Sequence, residues 1–291
     1  MRDDNRLDAI ETLWAAGQRD KALAALGSHL AKDPEDATAW SLKGLYLLEL
    51  EPNDPSLALV ALERSLAISP TYQAAYNAGN ALLDLDRLSE AQKLYELSIE
   101  CFDGYPQAWV NKGIVQHRTA QTKDALVSFE RALQLDAAFA PALRCKAIAL
   151  EAVGDKEASE ATYARLVELY PDDLDALSDY GRALSRLPPD NRMELHPGGR
   201  EWRAVETLNV VIDRKPDDVA ALLAKAEVLY RCMYANVCFR TNVVDYVPGP
   251  LRTGGFASEL RSVLELAKQR FPGHPRFKKY EAALDELRSQ N

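Results

Sequence analysis

The stretch Trp109-Val110-Asn111-Lys112-Gly113, followed by Ala125-Leu126-Val127-Ser128-Phe129, decides the fold of this chain. It places a large residue four positions before a glycine, and then an alanine four positions before an aromatic residue. A spacing of four puts both members of each pair on one face of a helix. The stretch therefore predicts two helices that pack on each other through small residues.

The same arrangement recurs along the chain at a fixed interval of 34 residues. The small residue keeps this interval at Gly79, Gly113, Ala147 and Gly181. The residues four positions earlier keep it as well: Ala75, Trp109, Leu143 and Leu177. A period of this length is the signature of a solenoid built from helical hairpins. Each hairpin leaves an apolar face exposed until the next one stacks on it.

Each position of the repeat has a physical reason. Glycine or alanine at the small position lets the first helix approach the second, and the alanine of the second helix has the same effect from the other side. The aromatic side chains of Tyr95, Phe129 and Tyr163 fill the remaining space. A proline after the second helix, as at Pro70 and Pro216, supplies no amide donor and ends that helix.

On these residues the whole chain resembles the tetratricopeptide-repeat (TPR) family. The resemblance implies an all-α fold, a right-handed α-α superhelix (TPR solenoid) of about seven helix-turn-helix repeats plus a C-terminal capping helix. We expect a single array over residues 1–291, with the cap at 274–291 turning its charged side to water. The predicted repeats cover about residues 3–36, 37–71, 72–105, 106–139, 140–173, 174–218 and 219–273.

Two repeats are longer than 34 residues, which predicts insertions. The sixth contains Pro188-Pro189-Asp190 and Pro197-Gly198-Gly199 between its helices, and these cannot continue a helix. The seventh contains a longer insertion at residues 231–257. We expect residues 231–240 to extend the preceding helix, and the glycine- and proline-rich part after them to form a loop. Long insertions in a regular array often carry specific function.

The composition is that of an ordinary foldable chain, with 47% apolar and 27% charged residues. The formal net charge of −9 argues against a nucleic-acid binder, which normally presents a basic face. No run approaches the ~18 apolar residues of a membrane span. The amino-terminal residues lack the apolar core of a secretory signal, so we expect none in this sequence.

The four cysteines are too few and too scattered for a disulfide framework, and they fit a reducing, cytoplasmic setting: Cys101, Cys145, Cys232 and Cys238. Cys232 and Cys238 are six residues apart, unlike the C-x2-C spacing of zinc sites, so we expect no metal site. No phosphate-binding loop or nucleophile elbow occurs. We therefore expect no cofactor and no enzymatic activity.

In the TPR family the first helix of each pair lines a concave groove that binds extended peptides or partner helices. The resemblance therefore implies a peptide-binding groove here, with another protein as the partner. Asn77 and Asn111 occupy equivalent positions, and a side-chain amide can pair with the main chain of any extended peptide. The predicted groove residues are Tyr76, Asn77, Asn80, Asn111, His117, Arg118, Arg144, Arg182, Arg186 and Arg231.

Arginines recur among these positions on an otherwise acidic molecule. Guanidinium groups bind carboxylates with fork geometry, so an acidic segment or a free C-terminus is a candidate ligand. Asn80 and Asn111 are also 31 residues apart, similar to the asparagine pair of carboxylate-clamp TPR proteins. The basic residues of that clamp do not match, because Tyr76, Pro141 and Cys145 stand in their places. A chaperone-tail clamp is therefore not expected.

Two other functions remain open at this stage. The chain could be a structural or self-assembling subunit of a larger complex. It could also be a regulatory or assembly-factor subunit of an enzyme that acts through the insertion at 231–257. In that insertion Tyr234, Phe239 and Tyr246 would provide a second docking surface.

Overall fold

Helices form the regular structure of this chain. The computed structural model describes residues 4–50, 52–186, 199–238 and 256–289, and within them every regular element is helical. The first nine helices are α1 (Asp4–Ala15), α2 (Arg19–Leu30), α3 (Ala37–Leu48), α4 (Pro55–Ile68), α5 (Tyr72–Asp84), α6 (Leu88–Cys101), α7 (Pro106–Arg118), α8 (Thr122–Leu135) and α9 (Ala140–Val153). The following ones are α10 (Lys156–Leu169), α11 (Leu174–Arg186), α12 (Arg200–Arg214), α13 (Val219–Cys238), α14 (Phe256–Arg270) and α15 (Lys278–Ser289). The predicted all-α class is confirmed.

The helices pack in consecutive pairs. In residues 1–149, the first of two units defined by inter-residue contacts, α1 packs on α2, α3 on α4, α5 on α6 and α7 on α8. Each of the first three of these pairs also packs on the next one. The second unit, residues 150–291, contains the pairs α11–α12 and α13–α14, and α15 packs on α14. The predicted helix-turn-helix architecture is therefore present, while the predicted single array and its repeat boundaries stay predictions.

Close approach within the pairs depends on glycine. A Cβ atom on Gly79 would lie 2.6 Å from the ring of Tyr95, and one on Gly113 would lie 2.5 Å from the ring of Phe129. Both rings are buried. Since real Cβ atoms do not approach ring carbons this closely, any side chain at these glycines would force the paired helices apart.

Side-chain hydrogen bonds cap the N-termini of three helices. The Asp36 carboxylate accepts a hydrogen bond from the Ala39 N–H in the first turn of α3, and Asp54 accepts one from the Leu57 N–H in the first turn of α4, each at 3.0 Å. Thr71 caps α5 in the same way, through the Ala74 N–H at 3.3 Å. Such caps satisfy donors that have no partner inside the helix. They fix where α3, α4 and α5 begin, and therefore which of their residues face neighbouring helices.

Two tryptophans tie linkers to the helices that follow them. Trp40 Nε1 donates to the Pro34 carbonyl and Trp109 Nε1 donates to the Asp103 carbonyl, both at 2.9 Å. In each case the indole bonds six residues back, across the start of its own helix. The tryptophan at the large position of the repeat thus holds the preceding linker against the start of its helix.

The turns inside the pairs use left-handed backbone. Asp86 (φ 58°), Ala120 (φ 63°) and Gly154 (φ 86°) occupy the same position in successive repeats, 34 residues apart. Glycine adopts this conformation without a steric penalty, and aspartate is among the residues that tolerate it best. Ala120 is exposed and has neither advantage, so its backbone is strained.

The second unit uses the same packing with aliphatic side chains and one buried ion pair. A Cβ atom on Gly181 would lie 2.6 Å from Leu208 Cδ2. Lys225 of α13 and Glu259 of α14 form an ion pair in which both side chains are almost fully buried. Removing either partner would leave a buried charge, so the pair strongly favours this register of the two helices.

The helix α15 has the amphipathic character expected of a cap. Its inner side, together with a 3-10 turn at Pro275–Phe277, buries Phe277, Tyr280 and Leu284. Lys278 and Lys279 are exposed on the other side.

The long insertions are described only in part. The helix α13 continues to Cys238, so the predicted extension is present as far as that residue. Residues 187–198 and 239–255, which hold the rest of the predicted insertions, lie outside the described residues. Among the helices that are described, none has the length and apolar character needed to cross a membrane.

Adding a side chain at Gly113 should destabilise the first unit. Valine would place carbon atoms inside the van der Waals radius of the Phe129 ring. We therefore expect Gly113→Val to lower the free energy of unfolding by about 2–3 kcal/mol. Urea unfolding followed by circular dichroism measures this change.

Gly27 provides the matched control, because it also lies in a helix but a Cβ atom there would have no neighbour within 4 Å. We expect Gly27→Val to change the free energy of unfolding by less than about 0.5 kcal/mol. Equal destabilisation by the two substitutions would contradict the packing role of Gly113.

Replacing Ala120 by glycine should stabilise the protein. Glycine removes the strain of the left-handed turn, although it adds freedom to the unfolded chain, so Ala120→Gly should raise the free energy of unfolding by about 0.5–1 kcal/mol. The reverse change at the equivalent position, Gly154→Ala, should lower it by about 1 kcal/mol. Thermal or urea unfolding of the two variants provides the check, and a destabilised Ala120→Gly variant would refute the argument from strain.

Candidate functional site

A network of amides and tyrosines links α5, α6 and α7 in the first unit. Asn80 Oδ1 accepts hydrogen bonds from the Tyr95 hydroxyl at 2.9 Å and from Asn111 Nδ2 at 2.8 Å. Asn111 Nδ2 also donates to the Tyr76 hydroxyl oxygen at 3.2 Å. The structure thus brings together three of the predicted groove residues, Tyr76, Asn80 and Asn111, and anchors them on the buried Tyr95.

This network has a defined pattern of donors and acceptors. Burial, reinforced by the neighbouring Tyr76, raises the pKa of the Tyr95 hydroxyl well above its ordinary value, so this hydroxyl keeps its proton and donates it. Asn80 Oδ1 is used twice, while its Nδ2 group makes no hydrogen bond to the described residues. The Tyr76 oxygen is used as an acceptor, which leaves its O–H hydrogen available. Within the described residues, the network therefore leaves the Asn80 Nδ2 and Tyr76 O–H groups as donors and Asn111 Oδ1 as an acceptor.

Asn77 and Asn111, the two equivalent asparagines, have different surroundings. The Asn111 amide hydrogens are used inside the network. Asn77 is half-buried on α5, and its side chain makes no hydrogen bond within the described part of the chain. Asn77 can therefore offer both a donor and an acceptor to a ligand, whereas Asn111 mainly orients its neighbours.

The other predicted groove residues of the first unit lie apart from this network. At the end of α7, Arg118 donates to Asp86 at 2.7 Å, and His117 Nδ1 lies 3.2 Å from the Thr122 hydroxyl. Arg144 lies half-buried in α9.

In the second unit, two of the predicted residues line a pocket of about 510 Å³. They are Arg186 of α11 and Arg231 of α13. Arg186 donates to Glu151, which also lines the pocket, at 2.7 Å. Arg182 forms an ion pair with Asp179 on its own helix. At least two of the three arginines predicted in this unit are therefore bound to carboxylates of the same chain.

Glu227 is a second carboxylate in the wall of this pocket. Burial alone would raise its pKa, but hydrogen bonds from Lys279 and Tyr280, both at 2.7 Å, outweigh burial and hold the pKa below its ordinary value. The nearby Arg231 acts in the same direction. The pocket thus combines charges of both signs, and Glu151, Arg186 and Glu227 are each paired within the protein.

The residues predicted to act in the late insertion are mostly beyond what the structure describes. Tyr234 lies in α13 and Cys238 ends it, but their side chains, and all of Phe239 and Tyr246, lie outside the described part. Burial, with Glu201 nearby, raises the pKa of Cys232 to about 12, so its thiol is protonated at neutral pH. Among the described residues, no three histidine, cysteine, aspartate or glutamate side chains converge as metal ligands would.

The sequence patterns did not identify Tyr72, Phe102 and Tyr105, the further aromatic side chains around the network. The Tyr105 ring centroid lies 5.1 Å from that of Tyr76 and 5.2 Å from that of Tyr72. Phe102 lies 5.1 Å from Tyr72, and Tyr95 lies 6.0 Å from Tyr76. The density of aromatic residues in the repeat at 72–105 is a signal in the sequence. Their convergence follows from the packing of α7 and its linker against α5.

Comparison with known proteins agrees with this architecture. Two tetratricopeptide-repeat family models match the chain, at residues 7–73 and 72–100. Protein O-mannosyl-transferase TMTC1 of Homo sapiens and that of Mus musculus are each 25% identical over 135 residues, which is 45% of this chain. The matches cover 15% of the human protein and 14% of the mouse protein.

Solved structures share the fold. The C-terminal part of a TPR repeat-containing protein from Cytophaga hutchinsonii has a TM-score of 0.67 at 11% identity, covering 94% of this chain and 98% of that one. PilW, a type IV pilus biogenesis factor, has a TM-score of 0.63 at 17% identity, covering 75% and 96%. YrrB, a TPR protein with an unusual peptide-binding site, has a TM-score of 0.53 at 22% identity, covering 69% and 97%. The family models identify residues 7–100 as tetratricopeptide repeats, and the paired helices and the solved structures show that the described residues share the TPR fold.

Proposed function

We propose that this chain is a non-catalytic scaffold that binds a peptide or protein segment on its first unit. The proposed site is the α5–α7 face, defined by Tyr76, Asn77, Asn80 and Asn111. TPR domains generally mediate interactions between proteins, which supports this class of function. YrrB, which shares the fold, is described as having a peptide-binding site, and this lends further support.

The observation that carries the proposal is that hydrogen bonds within the protein hold the Asn80 and Asn111 amides in fixed orientations. Ordering a flexible side chain on binding costs about 0.5–1.5 kcal/mol, and here Tyr76 and Tyr95 already hold these amides in place. The remaining groups of Asn77 and Asn80 match the N–H and C=O groups that an extended peptide presents. Such contacts recognise main chain, and they leave sequence preference to the surrounding side chains.

Main-chain recognition has more support than recognition of an acidic ligand. Arg118, Arg182 and Arg186 each bind a carboxylate of the chain itself. A ligand carboxylate would have to replace that partner. Since an exposed ion pair contributes only about 0–1 kcal/mol, exchanging one carboxylate for another adds little free energy of binding. These arginines are therefore better suited to stabilising the chain than to selecting its partner.

Removing the Asn77 amide should weaken peptide binding without affecting stability. Peptides selected from a random library on the purified wild-type chain should bind Asn77→Ala about tenfold more weakly, because two hydrogen bonds of about 0.5–1 kcal/mol are lost. Isothermal titration calorimetry measures the affinity. The melting temperature should stay unchanged, since Asn77 makes no hydrogen bond within the described residues.

Lys93→Ala is the matched control, because Lys93 is exposed on α6, outside the α5–α7 face. It should bind the selected peptides as the wild type does. The proposal fails if the library yields no binding peptide. It also fails if every selected peptide binds Asn77→Ala and the wild type equally well.

A further inference from the structure

The α5–α7 face continues into a row of aromatic rings that stays partly accessible to solvent. Tyr72, Tyr105 and Tyr76 follow one another with ring centroids 5.2 and 5.1 Å apart, and the Tyr105–Tyr76 contact is edge to face. Phe102 extends the row and is 48% exposed. The three tyrosines are half-buried, so each keeps part of its ring accessible. Rigid aromatic side chains of this kind provide contact area at little cost in conformational entropy.

The same face carries almost no charge. The helix α5 has no charged residue before Asp84, its last residue. On α7, Lys112 precedes the basic last turn, and it pairs with Glu96 at 3.3 Å. Asp103, in the linker, pairs with Arg131 at 3.4 Å. An uncharged surface gives no advantage to a charged ligand, so its chemistry favours a neutral one.

This face offers hydrogen-bond donors beside its aromatic rings. The Tyr76 oxygen and Asn80 Oδ1 accept hydrogen bonds from within the protein, so what these two residues offer outward is the Tyr76 O–H and the Asn80 N–H groups. These donors suit the carbonyl groups of a bound segment and require no N–H group from it. Proline is the residue that lacks a backbone N–H.

We propose that the α5–α7 face binds a proline-rich segment in the polyproline II conformation, with its proline rings packed against the accessible parts of Tyr72, Tyr105 and Tyr76. A polyproline II helix has three residues per turn and rises about 3.1 Å per residue, so residues three apart lie on one face ~9 Å apart, and that face can contact a continuous aromatic row. Its unpaired carbonyls accept from Tyr76 and Asn80. Aromatic grooves recognise this preformed helix because it loses little entropy on binding. The inference rests on the proposed function, since it names the ligand class of the same face.

Two synthetic peptides test this inference on the full chain. One has four alanine-proline-proline repeats, and the other has the same length and end groups with serine in place of every proline. We expect the proline peptide to bind at least about tenfold more tightly, as measured by calorimetry. Tyr105→Leu and Tyr72→Leu should each weaken it by about tenfold, because leucine keeps apolar bulk but removes the flat ring.

Tyr170→Leu, at an exposed tyrosine of the second unit, is the matched control and should bind as the wild type does. Melting temperatures identify any variant that fails to fold, and the two-peptide comparison on the wild type does not depend on variants. Equal binding of the two peptides overturns the inference, as does unchanged affinity in folded Tyr105→Leu and Tyr72→Leu. If library peptides depend on Asn77 while the proline peptide does not bind, the inference fails and the proposed function stands. If neither kind of peptide binds, both fail.

Discussion

The contact between a glycine of one helix and a large side chain of its partner is the constraint on which the rest of this structure depends. Because Gly79 has no side chain, the Tyr95 ring can lie across α5. That ring fills the core, and its hydroxyl emerges beyond it to donate to Asn80. In the next pair the equivalent of Tyr95 is Phe129, which packs in the same way but has no hydroxyl. One oxygen atom thus distinguishes a purely structural contact from one that also orders a polar surface.

The α5–α7 face of the first unit and the pocket of the second unit differ in their charge. The α5–α7 face is nearly uncharged, and its polar groups are amides and hydroxyls. The pocket of the second unit is lined by cations and carboxylates, and Arg186 and Glu227 have partners within the same chain. Exposed pairs of this kind contribute little to stability, but they satisfy the charges locally. The neutral polar network therefore lies in the first unit, whereas Arg186 and Glu227 of the second-unit pocket use their charges in contacts within the chain.

The sequence predicted the fold because each rule of the repeat concerns neighbours in one helix or one helical pair. The 34-residue interval of Gly79 and Gly113 indicated where paired helices meet, and the structure places Tyr95 and Phe129 against them. The same register located Asn77 and Asn111 but could not reveal their partners. Asn111 bonds with Tyr76 and Asn80, which lie 35 and 31 residues earlier, so its orientation depends on the stacking of successive pairs.

The sequence by itself determined the helical class, the pairing of helices and the small positions between them, because these follow from periodicity and side-chain size. Only the tertiary structure decided which polar groups are used internally and which remain for a ligand. It also decided that Tyr72, Phe102 and Tyr105 form one aromatic row, since these residues come from separate parts of the repeat. The physical reason is that hydrogen bonds and ring contacts depend on distances and directions across helices, and a one-dimensional pattern does not specify them.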